Sequence, residues 1–170
     1  VILEGYVDAQ TGELLYRMNN VQETFEVKVQ AEVYKTSRSN PLTMEPLADL
    51  RVTVGGTNVN TDATGSAVFG SLNAPQTATM NLRGPWSRIR QGGGNGPTPS
   101  ASMLFNSASN TYTFTTTGSA KESDINAFYH VNVIHDYMKG YLPTFTGMDF
   151  ALPTNTDLTN NSCNAFYNGS

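Results

Sequence analysis

Hydrophobic and polar residues alternate along the first two thirds of the chain, in short runs separated by turn residues. The longest alternation covers residues 25–33 and places Phe25, Val27, Val29, Ala31 and Val33 on one face. Shorter runs of the same kind contain Leu50, Val52 and Val54, then Ala78, Met80 and Leu82, and finally Tyr112 and Phe114. A period of two predicts strands with one buried face. Because no helical pattern lies between these runs to serve as a crossover, we expect an antiparallel β-sandwich over residues 22–118.

Residues 1–21 predict a β-hairpin. Two strand-like runs flank a turn that begins at Asp8 and ends at Gly12. An aspartate can accept hydrogen bonds from the backbone amides of such a turn, and a glycine supplies a positive φ.

The pattern changes at about Gly118, where a long helix is predicted over residues 120–139. Ser119 and Glu122 have the spacing of a capping box at its start. Apolar residues cover most of the helix circumference, and one polar stripe contains Asn132, His135, Asp136 and Lys139. We expect a helix of this kind to be buried on more than one side, which predicts a domain larger than residues 119–170 provide.

Composition narrows the classes of partner. The net charge is −4, only 14% of residues are charged, and the basic residues are scattered. The densest group, Arg83, Arg88 and Arg90, is too sparse to follow a phosphate backbone, so we expect neither nucleic acid nor an anionic membrane as a partner. Surface polarity supplied by Asn, Thr, Ser and Gly is typical of secreted or cell-surface proteins. No run of about 18 apolar residues predicts a membrane span.

Both ends of the sequence fall within strand-like runs, and no signal-peptide pattern is present at Val1. We therefore expect the chain to be a piece of a longer, extracellular precursor. Its single cysteine, Cys163, predicts no internal disulfide. Two interpretations remain open for this residue: a buried thiol, or a disulfide with a cysteine beyond Ser170.

Neither the glycine-rich segment nor the two histidines of the chain have the pattern of a reactive or metal-binding site. The glycine-rich residues 91–99 lack the Lys-Ser or Lys-Thr pair of a phosphate-binding loop and predict a connection between strands. His130 and His135 are separated by about 140° around a helix, so they cannot bind one ion from the same face. Nothing resembles a nucleophile elbow. We predict no catalytic residue and no metal site in this chain.

Specific motifs point to a family. Residues 124–139 (DINAFYHVNVIHDYMK) and 164–170 (NAFYNGS) resemble the start of a thermolysin- or fungalysin-type zinc metallopeptidase domain. The hairpin motif within residues 6–15 resembles the last hairpin of the propeptide in that family. Residues 46–54 and the Thr-Asp-Ala-Thr-Gly turn at 61–65 resemble carboxypeptidase-regulatory-like (prealbumin-like) and collagen-adhesin B-type sandwiches.

The resemblance implies an organisation and a site. Residues 1–21 would end a propeptide, 22–118 would be an inserted sandwich, and 119–170 would begin the peptidase domain, with the helix and an edge strand at 163–168. That strand would bind an extended peptide or protein substrate. Its site residues would be Asn164 and Ala165, which hold the substrate main chain, and Phe166 and Tyr167, which pack beneath it; Tyr167 stands where the thermolysin pattern often has tryptophan.

The zinc-binding motif of the family, His-Glu-x-x-His, does not occur in the sequence. The resemblance therefore implies a non-catalytic segment of a metalloendopeptidase precursor, with zinc and calcium held elsewhere in the full-length protein and the remainder of the peptidase domain as its partner. The alternative is a non-enzymatic adhesion module of the cell surface.

Overall fold

The computed structural model describes residues 3–19, 24–70, 72, 74–92, 96–116, 118 and 120–158. Within them the chain is mainly β with one long helix, which confirms the predicted class. The elements in chain order are β1 (Leu3–Val7), β2 (Leu14–Asn19), β3 (Phe25–Val33), β4 (Thr43–Pro46), β5 (Arg51–Val54), β6 (Thr57–Asn60), β7 (Ser66–Phe69), β8 (Gln76–Asn81), β9 (Ser87–Gln91), β10 (Ser100–Phe105), β11 (Ser109–Phe114), α1 (Glu122–Tyr141) and β12 (Leu152–Thr156).

The first four-stranded sheet is built around β3. On one side β3 pairs with β11, in parallel. On the other it pairs antiparallel with β7 along its first half and with β4 along its second half. A strand flanked on both sides has most of its backbone groups paired, which suits the longest alternating run of the sequence.

The second four-stranded sheet has the order β10-β8-β5-β6 and is antiparallel throughout. Its inward side chains and those of the first sheet belong to a single hydrophobic cluster. All five apolar residues predicted on one face of β3 are at most 1% exposed. The predicted positions on β5 and β8 are buried to the same degree, so the period-two interpretation of these runs is confirmed.

Two strand pairs are parallel, although the sequence favoured antiparallel pairing throughout. β11 pairs with β3, and β12 pairs with β9. The chain between β9 and β12 includes α1, which provides a crossover of the length that parallel pairing needs. Two prolines, Pro41 and Pro46, lie close to β4. Pro46 is tolerated within this strand because β4 lies at an edge of the first sheet.

The β1–β2 hairpin has the predicted turn chemistry. The Oδ1 atom of Asp8 accepts hydrogen bonds from the backbone N–H groups of Gln10 and Thr11, each at 2.8 Å. Gly12 has a φ of 71°, as the turn requires. Five apolar side chains of this hairpin are exposed: Tyr6, Val7, Leu14, Leu15 and Tyr16.

Helix α1 begins two residues later than predicted and ends two residues later. Its N-cap is Lys121, whose backbone N–H donates to the carboxylate of Asp124 at 2.8 Å. The acidic partner at the helix start is thus Asp124 rather than Glu122, and Ser119 lies outside the described residues. Among the described residues, no helix combines the length and apolar character needed to cross a membrane.

Candidate functional site

The start of α1 is fixed by a buried carboxylate. Asp124 is fully buried and accepts hydrogen bonds from the Gln91 side-chain amide at the end of β9 and from the Thr156 hydroxyl at the end of β12. The Lys121 backbone N–H completes the set of donors. A buried charge is tolerated when hydrogen bonds replace its water, and here those bonds tie the helix to both strands of the β9–β12 pair.

Two further helix residues dock on the end of β3. The backbone N–H of Tyr34 donates to the Asn126 side-chain oxygen at 2.8 Å, and Nε2 of His130 lies 2.7 Å from the Tyr34 carbonyl oxygen. Asn126 and His130 are four residues apart and so share one side of the helix. Together they satisfy both backbone polar groups of Tyr34, which gives His130 a structural role.

His135 lies on the same helix but has different partners. Its ring stacks on Trp86, with centroids 3.9 Å apart and planes inclined by 11°. Nδ1 lies 3.2 Å from Asp136 Oδ1, and Nε2 lies 3.2 Å from Asp149 Oδ1. With one face covered by an indole and both nitrogens directed at carboxylates, the buried ring presents no free nitrogen to a ligand. Through Asp149, His135 holds the segment that follows the helix. Lys139, in the last turn of the helix, also donates to Asp149, at 2.8 Å from its Nζ atom.

The carboxylates around His135 have opposite electrostatic environments. The hydrogen bond from Lys139 lowers the pKa of Asp149, and the bond from His135 acts in the same direction. Burial raises the pKa of Asp49, the negative charge of Asp136 raises it further, and His135 offsets part of this rise. Two carboxyl groups near one imidazole, one with a lowered pKa and one with a raised pKa, are typical of functional sites. Ion-pair networks produce the same pattern. The engaged nitrogens of His135 favour the structural role.

No group of three or more His, Cys, Asp or Glu side chains suited to hold a metal ion occurs within the described ranges. His130 and His135 contact different elements, namely the end of β3 and the loop before β9.

The side of α1 opposite Asp124 and His135 is apolar and exposed in the second half of the helix. Val133, Ile134, Tyr137 and Tyr141 are between 44% and 75% exposed. We call these four residues the exposed helix face. The expectation that a domain larger than residues 119–170 buries the helix on more than one side stays a prediction. The polar stripe of the sequence is divided: Asn132 and His135 are buried, whereas Asp136 is exposed.

The substrate-binding residues predicted from the sequence, Asn164, Ala165, Phe166 and Tyr167, lie outside the described residues. The predicted edge strand at 163–168 and Cys163 lie there too. Their roles remain predictions.

The sequence did not single out Trp86, Asp49 or Asp124 as individual residues of a site. Asp124 occupies the third position of α1, where an acid commonly bonds the N-cap amide, and this is the signal that was available. Nothing local marks Trp86 or Asp49, because both come from loops that reach the helix only in the folded chain.

No model of a known protein family matches the sequence, and no curated protein matches it significantly.

Replacing Asp124 by alanine should lower the free energy of unfolding by about 3 kcal/mol, because it leaves the buried donors of Gln91 and Thr156 unpaired. Urea denaturation of the 170-residue chain measures this. The matched control is Glu122→Gln on the same turn, whose ion pair with Arg38 is exposed and contributes about 1 kcal/mol or less. Equal losses in the two variants would contradict the anchoring role of Asp124.

Replacing Asp49 by asparagine should raise the urea midpoint at pH 7. The folded-state pKa of Asp49 is above its ordinary value of 3.8, so ionisation of this carboxyl favours the unfolded chain as the pH rises from about 4. Asparagine tolerates the φ of 58° at this position. The gain should shrink towards pH 3, where the carboxyl is protonated in both states.

For Asp149→Asn we expect a change in stability opposite to that of Asp49→Asn. The pKa of Asp149 is lowered, so its stabilisation is present at pH 7 and is lost as the pH falls through the folded-state pKa. We expect this variant to be less stable than the parent chain at pH 7. A lower midpoint for Asp49→Asn at pH 7 would refute the assigned burial effect.

Proposed function

We propose that the chain is a non-catalytic segment of a secreted zinc metalloendopeptidase precursor and that its long helix packs against the remainder of the peptidase domain. The observation that carries this proposal is the exposed helix face, three of whose four residues lie within the motif of residues 124–139 that resembles the peptidase family.

The exposed helix face has the form of a packing surface. Ile134, Tyr137 and Tyr141 follow the spacing of three and four residues that aligns side chains along one side of a helix. Tyr137 is 71% exposed and Tyr141 is 75% exposed. Contiguous apolar surface of this kind marks interaction sites on soluble proteins. In the proposed precursor the following part of the peptidase domain covers it.

The two four-stranded sheets support an inserted β-sandwich of the carboxypeptidase-regulatory-like or prealbumin-like type between residues 22 and 118. They share one core, and Asp62 orders the turn that resembles such domains. Its Oδ1 accepts hydrogen bonds from the backbone N–H groups of Thr64 at 2.8 Å and of Ser66 at 3.0 Å. Residues 1–21 then end the propeptide, and residues 119–170 begin the peptidase domain.

The proposed contribution to catalysis is substrate binding alone. Asn164 and the backbone of Ala165 hold the main chain of an extended peptide, and Phe166 and Tyr167 pack beneath it. The 170 residues do not contain the His-Glu-x-x-His motif that supplies ligands to catalytic zinc in this family, so they do not fit that metal. Zinc, and calcium where the family uses it, would be held by other parts of the precursor.

A non-enzymatic adhesion module of the cell surface is the second candidate. The observation in its favour is that Ile125 and Phe128 of α1 belong to the same hydrophobic cluster as the two sheets. A helix that shares the core of the sheets is compatible with a unit that works without a catalytic domain.

Casein hydrolysis by the complete gene product tests the first proposal. We expect activity that EDTA abolishes and added zinc restores. An inactive product, or one that EDTA does not inhibit, would overturn the peptidase assignment and favour the adhesion module.

An Ile134→Glu variant tests the role of the exposed helix face. In the complete product it should reduce caseinolytic activity at least tenfold, since a charge would be placed within a packed interface. In the 170-residue chain it should change the free energy of unfolding by less than about 0.5 kcal/mol, because Ile134 is exposed there.

The control is Leu104→Glu on β10, at a leucine that is 58% exposed where Ile134 is 52% exposed. This variant should leave the activity unchanged. Equal activity of the two variants would show that the catalytic part does not cover the exposed helix face.

A further inference from the structure

Three arginines from separate segments meet at the end of the second sheet. The backbone N–H of Arg51, the first residue of β5, donates to the carbonyl oxygen of Arg83 at 2.8 Å. Arg83 and Arg88 are partners in an antiparallel β-bridge. Their chain neighbours Val52 and Leu82 are fully buried, so the alternation of the strands directs the arginines to the outer face. We call Arg51, Arg83 and Arg88 the arginine triad.

The arginine triad lacks a compensating charge within the described residues. No described carboxylate lies within 4.0 Å of any of its guanidinium nitrogens. By contrast, five other basic side chains each have one acidic partner: Lys28 with Glu26, Lys35 with Glu45, Arg38 with Glu122, Lys121 with Asp157, and Lys139 with Asp149. In an acidic protein, the arginine triad is therefore an exception.

Hydrogen bonding points in the same direction. The Nε atom of each arginine of the triad is buried and has no hydrogen-bond partner among the described residues. A buried donor without an acceptor is costly, and native proteins rarely retain three together without a ligand or solvent to satisfy them. Burial lowers the pKa of Arg83, and the positive charges of Arg51 and Arg88 lower it further. A bound anion would relieve both the unpaired donors and the repulsion.

We propose that the arginine triad binds a sulfate or phosphate group. Guanidinium groups donate in forks that match the oxygens of such groups, and a tetrahedral dianion has enough oxygens to accept from three of them. A single carboxylate would leave most of the positive charge unbalanced. Three arginines are too few to follow the phosphates of a nucleic acid, in agreement with the overall charge.

The surroundings indicate that the group belongs to a carbohydrate. Asn60 and Asn81 lie directly opposite Arg51 on the two neighbouring strands, and Ser100 lies opposite Asn81. Residues directly opposite each other share one face of a sheet, so a row of uncharged polar groups extends from the arginine triad. Amides and hydroxyls suit sugar hydroxyl groups, whereas further cations would be needed for a longer polyanion.

The fluorescence of Trp86 measures binding. It is the only tryptophan of the sequence, and it lies two residues before Arg88. The 170-residue chain is titrated at constant ionic strength with sodium sulfate, sodium phosphate and a sulfated oligosaccharide, each against sodium chloride. We expect a saturable change with half-saturation below about 1 mM. A response to the oligosaccharide that exceeds the response to the free ions identifies the carbohydrate ester as the source, and equal responses identify the free anion.

Variants of the arginine triad decide the outcome. Arg83→Gln and Arg88→Gln should each weaken binding at least tenfold, whereas Arg38→Gln, at an exposed and paired arginine, should not. Far-UV circular dichroism and urea midpoints are measured without anion, where removal of one of three like charges should not lower the midpoint. A titration that does not saturate, or equal affinity in Arg83→Gln and Arg38→Gln, would overturn the proposal. So would a fall in both midpoints, since it would give the triad a purely structural role.

Discussion

The buried carboxylate of Asp124 is the interaction on which the arrangement of helix and sheets depends. It gathers donors from the helix start, from β9 and from β12 at one point. Once this point is fixed, the rotation of α1 about its axis is fixed as well. Asn126 and His130 then reach Tyr34, and His135 reaches Trp86. The exposed helix face is a consequence of the same rotation, because the buried polar residues Asp124, Asn132 and His135 occupy the opposite side of the helix.

The strands of the core could be predicted from the sequence because each buries one full face. The alternation in β3 predicts which side chains face inward, and every one of these side chains is buried. Strands such as β6 and β12 carry mostly polar residues, so their sequences contain no period of two to detect. The parallel pairs were also missed, because they join segments distant in sequence, and α1 lies only between β9 and β12, not between β3 and β11.

The orientation of the helix shows the limit of counting apolar residues. The apolar surface of residues 120–139 exceeds what the sheets cover, and the sequence correctly shows that excess. Which side faces inward depends on a few polar residues with buried partners. Asp124 and Asn132 lie on the inner side although an apolar count would place them outside. The same holds for the arginines, which look scattered along the chain and are brought together by the pairing of β5 with the segment before β9.

The parallel pairing of β12 with β9 also has a consequence for how the chain acquires and loses its structure. This pair closes a loop that contains β10, β11 and α1. Closing such a loop lowers the conformational entropy of the chain before the contacts of the helix have formed to offset this cost. Pairings between segments distant in sequence therefore form slowly. Thr156 lies at the end of β12 and bonds Asp124 at the start of α1, so the strand and the helix are linked directly. We therefore expect β12 and the first turn of α1 to open together when the chain unfolds locally.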